Sequence, residues 1–185
     1  MKEQKSSSAG GKLLGALAFL LGLVLSMVYG WVIFPNLLYS QKAQPINFSH
    51  AAHTDSECDS CHLFRSDGTY AGIPTIDKCK ECHESAQGNT ESEKTLVEQY
   101  IANDRELPWR VYAWQPDNVY FSHAPHKAKD VKCVRCHRDV SKEAALPAFR
   151  EDRLTGYSVT TMKMIECESC HAESSVSNNC EVCHK

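Results

Sequence analysis

One pentapeptide pattern, Cys-x-x-Cys-His, occurs five times in this chain of 185 residues and uses every one of its ten cysteines. The copies comprise Cys58, Cys61, His62, Cys79, Cys82, His83, Cys133, Cys136, His137, Cys167, Cys170, His171, Cys180, Cys183 and His184. Such a pattern attaches a c-type haem: the two thiols form thioethers, and the adjacent histidine binds the iron as its proximal ligand. Structural zinc, redox dithiols and disulfides are rival explanations for a single copy. Five copies with no cysteine left over predict five covalently bound haems c; a further haem without its own pentapeptide would escape this count.

The remaining four histidines form two copies of a second pattern, Phe-Ser-His-x-x-His, each shortly ahead of a haem site. They are His50, His53, His123 and His126, in the segments NFSHAAH and YFSHAPH. A spacing of three places both imidazoles near one face of a helical turn, so a single turn could serve two haems. An isolated histidine is more often a surface or core residue, but here every histidine belongs to one of the two patterns. We therefore predict that all four are distal iron ligands.

One iron still needs a sixth ligand, because five haems have ten axial positions and the chain has nine histidines. Methionine is the usual alternative to histidine and raises the reduction potential. Of the four methionines, Met1 is the initiator and Met27 lies in an apolar run, which leaves Met162 and Met164. We predict one His/Met haem and prefer Met164. Both side chains could instead fill gaps in the packing, which would leave the fifth iron open or bound to water.

The N-terminal region predicts a membrane anchor. Residues 13–34 form a run of 22 uncharged residues, long enough to cross a bilayer as a helix. Three lysines precede this run and four aromatic residues cluster at its far end: Lys2, Lys5, Lys12, Tyr29, Trp31, Phe34 and Tyr39. This arrangement predicts a cytoplasmic N-terminus and an inner-membrane span. A cleaved signal peptide is the alternative, but its apolar region is shorter and ends in small residues.

The rest of the chain, residues 36–185, is then predicted to be periplasmic, where haem is attached. Without Lys2, Lys5, Lys12 and Glu3, the chain's 20 basic and 23 acidic residues leave this part with a formal charge of −5. An anionic surface argues against nucleic acid as a partner and suits a basic soluble electron-transfer protein. With about 30 residues per haem, the porphyrins must form much of the core. We expect a mainly irregular and α-helical fold with few short helices and little sheet.

The positions of the haem pentapeptides and of the two histidine pairs also predict how the whole chain is divided. Residues 1–35 are the cytoplasmic tail and anchor, residues 36–112 a two-haem module, and residues 113–185 a three-haem module. A helix is predicted over Thr90–Asp104, because Thr90 and Glu93 form a capping box ahead of an apolar stripe. We interpret this helix as a spacer with no chemistry of its own.

The two FxHxxH segments shortly before CxxCH resemble the cytochrome c3 and c7 family, in which haems stack in small, loop-rich domains. The anchor, the five haem sites, the segment PWRVYAWQPDNVYFSHAPH and the methionine three residues before Cys167 resemble a narrower family. That family contains the multihaem cytochrome c subunits of alternative complex III and of the menaquinone reductase complex, Qrc. The resemblance covers nearly the whole chain and implies that Met164 binds an iron. By analogy with c3 and c7 proteins, His50 would serve the Cys58 haem and His123 the Cys133 haem, while His53 and His126 reach later haems.

The resemblance also implies partners: an integral quinone-binding subunit, an iron–sulfur subunit, a subunit of the molybdopterin-enzyme fold and soluble periplasmic cytochromes c. The function expected is electron transfer between those cytochromes and the menaquinone pool, with no catalytic residue in the chain itself. The main alternative is a stand-alone quinol dehydrogenase of the NapC/NrfH type, which typically has four haems and a methionine just after the first site. Here Leu63 follows His62. A catalytic multihaem enzyme would need a vacant iron position, whereas all five sites end in histidine.

Overall fold

The computed structural model describes residues 8–184, and the lysines predicted to orient the anchor, except Lys12, lie outside this range. The described chain is mainly irregular and helical, with one sheet of two short strands, as the sequence predicts. It divides into two compact units. The first ends at Ser40 and includes Asp152–Gly156; the second comprises Gln41–Glu151 and the residues from Tyr157 onward.

The first unit is dominated by a long apolar helix. Helix α1 (Ser8–Val28) continues through a π-helical turn, Tyr29–Ile33, into helix α2 (Phe34–Leu38). The π turn ends two residues before Pro35, whose ring and missing N–H do not fit the regular α-helical ladder. Instead, the N–H of Phe34 donates to the carbonyl of Tyr29. Within the described residues, Gly10–Leu38 is one helical stretch long and apolar enough to cross a membrane.

The second unit carries all five pentapeptides on short helical turns. Its α-helices are α3 (Cys58–Cys61), α4 (Ile76–His83), α5 (Glu91–Thr95), α6 (His123–Ala128), α7 (Met164–Glu173) and α8 (Cys180–Cys183). Short 3₁₀ turns cover His50–His53, Ile101–Asn103 and Cys133–Arg135. Strand β1 (Tyr39–Lys42) pairs with strand β2 (Phe149–Asp152).

The helix predicted over Thr90–Asp104 is confirmed, although its geometry changes along its length. After α5 the chain passes through a π-helical turn, Leu96–Tyr100, before the 3₁₀ turn at its end. Thr90 caps the start, because its Oγ1 accepts from the Glu93 N–H at 3.2 Å. The Glu93 carboxylate does not complete a capping box and turns toward the preceding loop.

The apolar core of the described chain is small. Ile46, Ile76, Leu96 and Leu107 form one buried cluster, against which Trp109 and other half-buried side chains pack. Domains of this length normally bury many more large apolar residues. Such a core fits a chain whose interior space is shared with prosthetic groups, as the sequence predicts.

Candidate haem sites

Local hydrogen bonds shape the pentapeptides into single turns. In three of them the N–H of the histidine donates to the carbonyl of the first cysteine: His62 to Cys58 at 2.9 Å, His137 to Cys133 at 2.8 Å and His184 to Cys180 at 2.8 Å. One turn therefore holds two thiols and an imidazole close together. All ten cysteines lie in the described part of the chain and none is in a disulfide.

In the first Phe-Ser-His-x-x-His segment, the phenylalanine and the serine hold the histidines. Phe48 packs edge-on against His50, with ring centroids 4.9 Å apart, and stacks on His53 at 4.6 Å. Ser49 caps the turn, because its Oγ accepts from the Ala52 N–H at 3.2 Å. The carbonyl of Ser49 accepts from His53 Nδ1 at 2.8 Å.

The second segment repeats these contacts. Phe121 lies edge-on to His123 at 4.7 Å and against His126 at 5.0 Å between ring centroids. Ser122 Oγ accepts from the Ala124 N–H at 3.3 Å, and the Ser122 carbonyl accepts from His126 Nδ1 at 2.8 Å. The phenylalanine, the serine and both histidines of the pattern thus all make contacts. The roles of the phenylalanine and the serine were not evident from the sequence.

Three candidate distal histidines face proximal histidines across a gap that fits a metal ion. The ring centroids are 6.1 Å apart for His53 and His83, 6.3 Å for His123 and His137, and 6.2 Å for His126 and His171. An imidazole–metal bond is about 2 Å and the ring adds about 1 Å on each side, so two imidazoles sharing a metal have centroids about 6 Å apart. The residues present therefore fit a haem iron between each pair.

The fourth candidate, His50, lies near His62. Burial lowers the pKa of His50, and the neighbouring His62 lowers it further. Nδ1 of His50 is buried and has no hydrogen-bond partner in the described chain. The structure thus brings each of the four candidate distal histidines close to a different proximal one.

The hydrogen bonds of the imidazoles also fix which nitrogen is free. Nδ1 lies 2.8–3.0 Å from a backbone carbonyl in five histidines, namely His53, His62, His123, His126 and His184. A carbonyl can only accept, so Nδ1 must carry the proton. Nε2 is then unprotonated, which is the state required of a metal ligand.

The thiols of neighbouring sites come close enough to influence one another. Burial, then Glu106 and Cys61, raise the pKa of the Cys79 thiol, so the second site adjoins the first. Burial also raises the pKa of Cys58, and Cys133 adds to this by its charge and by a hydrogen bond. Phe64, two residues after His62, lies 5.6 Å from His123 between ring centroids, so the first site adjoins the third.

Thiols of the remaining sites affect one another's pKa in the same way. Burial raises the pKa of Cys136, followed by the effect of Cys170. Burial and then Cys183 raise the pKa of Cys167. Direct contacts agree: Arg135 of the third site lies 2.6 Å from Glu173 beside the fourth, and Asn178, just before the fifth, donates to the Glu168 carbonyl at 2.9 Å. The sites therefore follow one another in space in this order: Cys79–Cys82, Cys58–Cys61, Cys133–Cys136, Cys167–Cys170 and Cys180–Cys183.

The fifth site, at one end of this order, contains His184. Its Nδ1 lies 2.9 Å from the carbonyl of Asn118, and His184 and Cys180 line an open depression of the surface. Met164 is the first residue of α7 and is 61% exposed, while Met162 is half-buried in the irregular segment before it. Met164 and Cys167 are three residues apart on one helix face. The methionine therefore lies on the same helical turn as Cys167, the thiol whose pKa Cys183 raises.

One residue near a haem site gave no signal in the sequence. Glu93 Oε1 lies 3.1 Å from His83 Nδ1, although the capping-box pattern predicts that this carboxylate turns back to Thr90. The Gln87 N–H lowers the pKa of the Glu93 carboxyl most, and the Gly88 N–H and His83 lower it further. The helix that we interpreted as a spacer therefore supplies a side chain to the second site.

Comparisons with known proteins assign the chain to a family of c-type cytochromes. Residues 35–108 match the model of the class III cytochrome C family, and residues 119–185 match that of cytochrome c7 and related cytochrome c. The chain is 24% identical over 137 residues to cytochrome c3, 26 kDa, of Desulfomicrobium norvegicum, covering 73% of this chain and 84% of that protein.

A more similar relative is the "Menaquinone reductase, multiheme cytochrome c subunit" of Nitratidesulfovibrio vulgaris. The two are 44% identical over 190 residues, which cover 92% of this chain and 90% of the relative. The cytochrome families that match bind haem c covalently, so the chain is a multihaem electron-transfer protein. The chain belongs to the family of multihaem cytochrome c subunits of menaquinone reductase.

Proposed function

We propose that this chain is the membrane-anchored, five-haem electron conductor of a menaquinone reductase complex. It exchanges electrons between periplasmic cytochromes c and the membrane quinone pool. The observation that carries the proposal is that two short turns, His50–His53 and His123–Ala128, each bring two histidines to the proximal histidines of two different sites. Bound haem supplies one-electron redox chemistry at each site.

The polypeptide's part is to hold the irons in this order and to set their potentials. Four irons are bound by histidine pairs: His50 with His62, His53 with His83, His123 with His137, and His126 with His171. The fifth is bound by His184 and Met164. The facing rings and the protonated Nδ1 atoms support the histidine assignments. The position of Met164 on the turn of Cys167 supports the last one.

The anchor determines where the complex works. Side chains of the apolar helix are exposed along its length, including Trp31 at 85%. Such a surface is unfavourable in water and fits lipid or a neighbouring membrane helix. We place the N-terminus in the cytoplasm, the span in the inner membrane, and the modules at 36–112 and 113–185 in the periplasm.

The relative named as a menaquinone reductase subunit supports the presence of partner subunits, and the resemblance noted in the sequence implies which ones. They are an integral quinone-binding subunit, an iron–sulfur subunit and a molybdopterin-fold subunit, with a soluble periplasmic cytochrome c as the electron donor or acceptor. The quinone site then belongs to the integral subunit, and this chain has no substrate site of its own.

Co-purification tests the proposal. Native membranes are solubilised in mild detergent, the complex containing this chain is isolated, and its companions are identified and quantified by mass spectrometry. The three partner subunits in fixed ratio to this chain support the proposal. The chain recovered alone, and still oxidising menaquinol, contradicts it and favours the NapC/NrfH-like alternative.

A further inference from the structure

The second haem site has a charged residue behind its proximal histidine. Glu93 Oε1 lies 3.1 Å from His83 Nδ1, and the side chains are only 13% and 19% exposed. The hydrogen bonds that the other histidine side chains make in the described chain go to neutral backbone carbonyls. His83 therefore differs from them in the charge of its partner.

The carboxylate is held in place by the loop that follows His83. The N–H groups of Gln87 and Gly88 both donate to it, the latter to Oε2 at 2.8 Å. Gly88 leaves the necessary room, because a Cβ added there would lie 2.8 Å from Oε2. The site thus has a built receptor for this carboxylate, and the helix start at Thr90 fixes the backbone that carries it.

An anionic acceptor at Nδ1 changes what the imidazole does at Nε2. Donation of the Nδ1 proton to a carboxylate raises the basicity of a metal-binding histidine. A more basic axial ligand stabilises the ferric state over the ferrous one, so the reduction potential of the iron falls. A neutral carbonyl acceptor has a weaker effect.

We propose that Glu93 is a positioning residue that lowers the reduction potential of the haem attached at Cys79 and Cys82. The inference depends on the proposed function in one respect, that His83 is an axial ligand. This haem lies at one end of the spatial order of sites, and the predicted His/Met haem lies at the other. Glu93 and Met164 therefore act in opposite directions at the two ends, giving a conductor that is low in potential at one end and high at the other.

The test is a redox titration of the purified complex, followed by visible absorption and by electron paramagnetic resonance of frozen samples. Glu93→Gln keeps the size of the side chain and removes its charge. We expect one midpoint potential to become more positive, with all low-spin ferric signals retained. Glu91→Gln is the matched control, because Glu91 lies in the same turn, is 88% exposed and has its ion-pair contact with Lys94. It should shift none of the midpoints.

A second variant keeps the charge and moves it. Gly88→Ala displaces the carboxylate from the loop and should shift the same midpoint in the same direction by a smaller amount. Unchanged midpoints in Glu93→Gln contradict the inference, as does an equal shift in Glu91→Gln. Conversion of this haem to high spin in Glu93→Gln would also contradict it, since Glu93 would then only hold the ligand in place. The haem content of the parent complex tests the proposed function separately. Fewer than five haems per chain would contradict the proposed function, whatever the midpoint potentials of the variants.

Discussion

The two Phe-Ser-His-x-x-His segments share a sequence pattern and local contacts but differ in how their first histidine is fixed. In the second segment, His123 Nδ1 donates to the Thr69 carbonyl at 3.0 Å, and its backbone N–H donates to the same oxygen at 3.1 Å. In the first segment, His50 Nδ1 is buried without such a partner in the described chain. Packing by Phe48 must therefore hold His50, whereas His123 has both packing and hydrogen bonds.

Each segment is also held by a hydrogen bond to a distant part of the chain. Ala51 N–H donates to the Glu143 carbonyl at 3.0 Å, in the predicted three-haem module. Ala124 N–H donates to the Gly68 carbonyl at 2.9 Å, in the predicted two-haem module. The pattern thus supplies ligands locally, while their orientation depends on residues far away in sequence.

Loss of a distal histidine should have the largest effect. In His50→Ala and in His123→Ala, we expect one low-spin ferric signal to be replaced by a high-spin one. Changing a residue that supports a metal ligand typically costs about 10- to 100-fold in activity. Loss of the ligand itself should lower electron flow through the complex by about 100-fold or more. Electron paramagnetic resonance and menaquinol-dependent cytochrome reduction measure the two effects. Unchanged low-spin signals in either variant would remove that histidine from the ligand set.

Removing the aromatic ring should separate the two segments. Phe48→Ala should destabilise the protein by about 2 kcal/mol, roughly half the loss for a fully buried phenylalanine, since Phe48 is half-buried. It should also broaden the signals of the His50 haem, because in the described chain packing, and no hydrogen bond, supports that ring behind the iron. Phe121→Ala should cost a similar free energy but leave the His123 haem signal sharp. Thermal unfolding and resonance spectra check both, and equal broadening in the two variants would contradict the distinction.

A change at Gly68 should affect the second segment alone. Gly68 has φ of +67°, and a Cβ added there would lie 2.9 Å from Ala124 Cβ. We expect Gly68→Ala to destabilise the protein by about 1–2 kcal/mol from backbone strain alone and to perturb the His123 haem but not the His50 haem. Gly72→Ala is the control, because its added Cβ meets only the Leu63 carbonyl oxygen, at 3.5 Å. A tolerated Gly68→Ala would show that this close approach is not needed.

The smallest effect should come from the serine caps. Ser49→Ala and Ser122→Ala each remove one hydroxyl that accepts a backbone N–H at the start of a turn. A lost cap costs about 1 kcal/mol, and the serine carbonyls that accept from His53 and His126 remain. Both variants should therefore lower the unfolding temperature slightly, with five haems and unchanged spectra. Loss of a haem would mean that the hydroxyl does more than cap.

The sequence could predict those parts of the sites that depend on short-range patterns. The pentapeptides, the paired histidines and the helix from Thr90 all follow from spacing, because one helical turn fixes which side chains are neighbours. The acceptors at Gly72, Thr69 and Asn118 could not be predicted, since a backbone carbonyl has no sequence signature, and Thr69 and Asn118 lie far from their histidines along the chain.

Glu93 illustrates how one local rule can give way to another contact. The capping-box pattern predicts that its carboxylate turns back to Thr90, but two loop N–H groups and the His83 imidazole offer it three donors. The π turn before Pro35 was not predicted, although proline was the available signal. The phenylalanine and serine roles could have been inferred, because both residues recur in the same places ahead of the two histidine pairs.

Near-infrared magnetic circular dichroism of the fully oxidised complex tests the central claim most directly, because its bands distinguish histidine pairs from histidine–methionine ligation. Intensities calibrated against haem content should give four bis-histidine haems and one haem with a sulfur-to-iron band. The sulfur band should vanish in Met164→Ala and persist in Met162→Ala. Fewer than four bis-histidine haems, or no sulfur band in the parent complex, would contradict this account of how nine histidines and one methionine serve five irons.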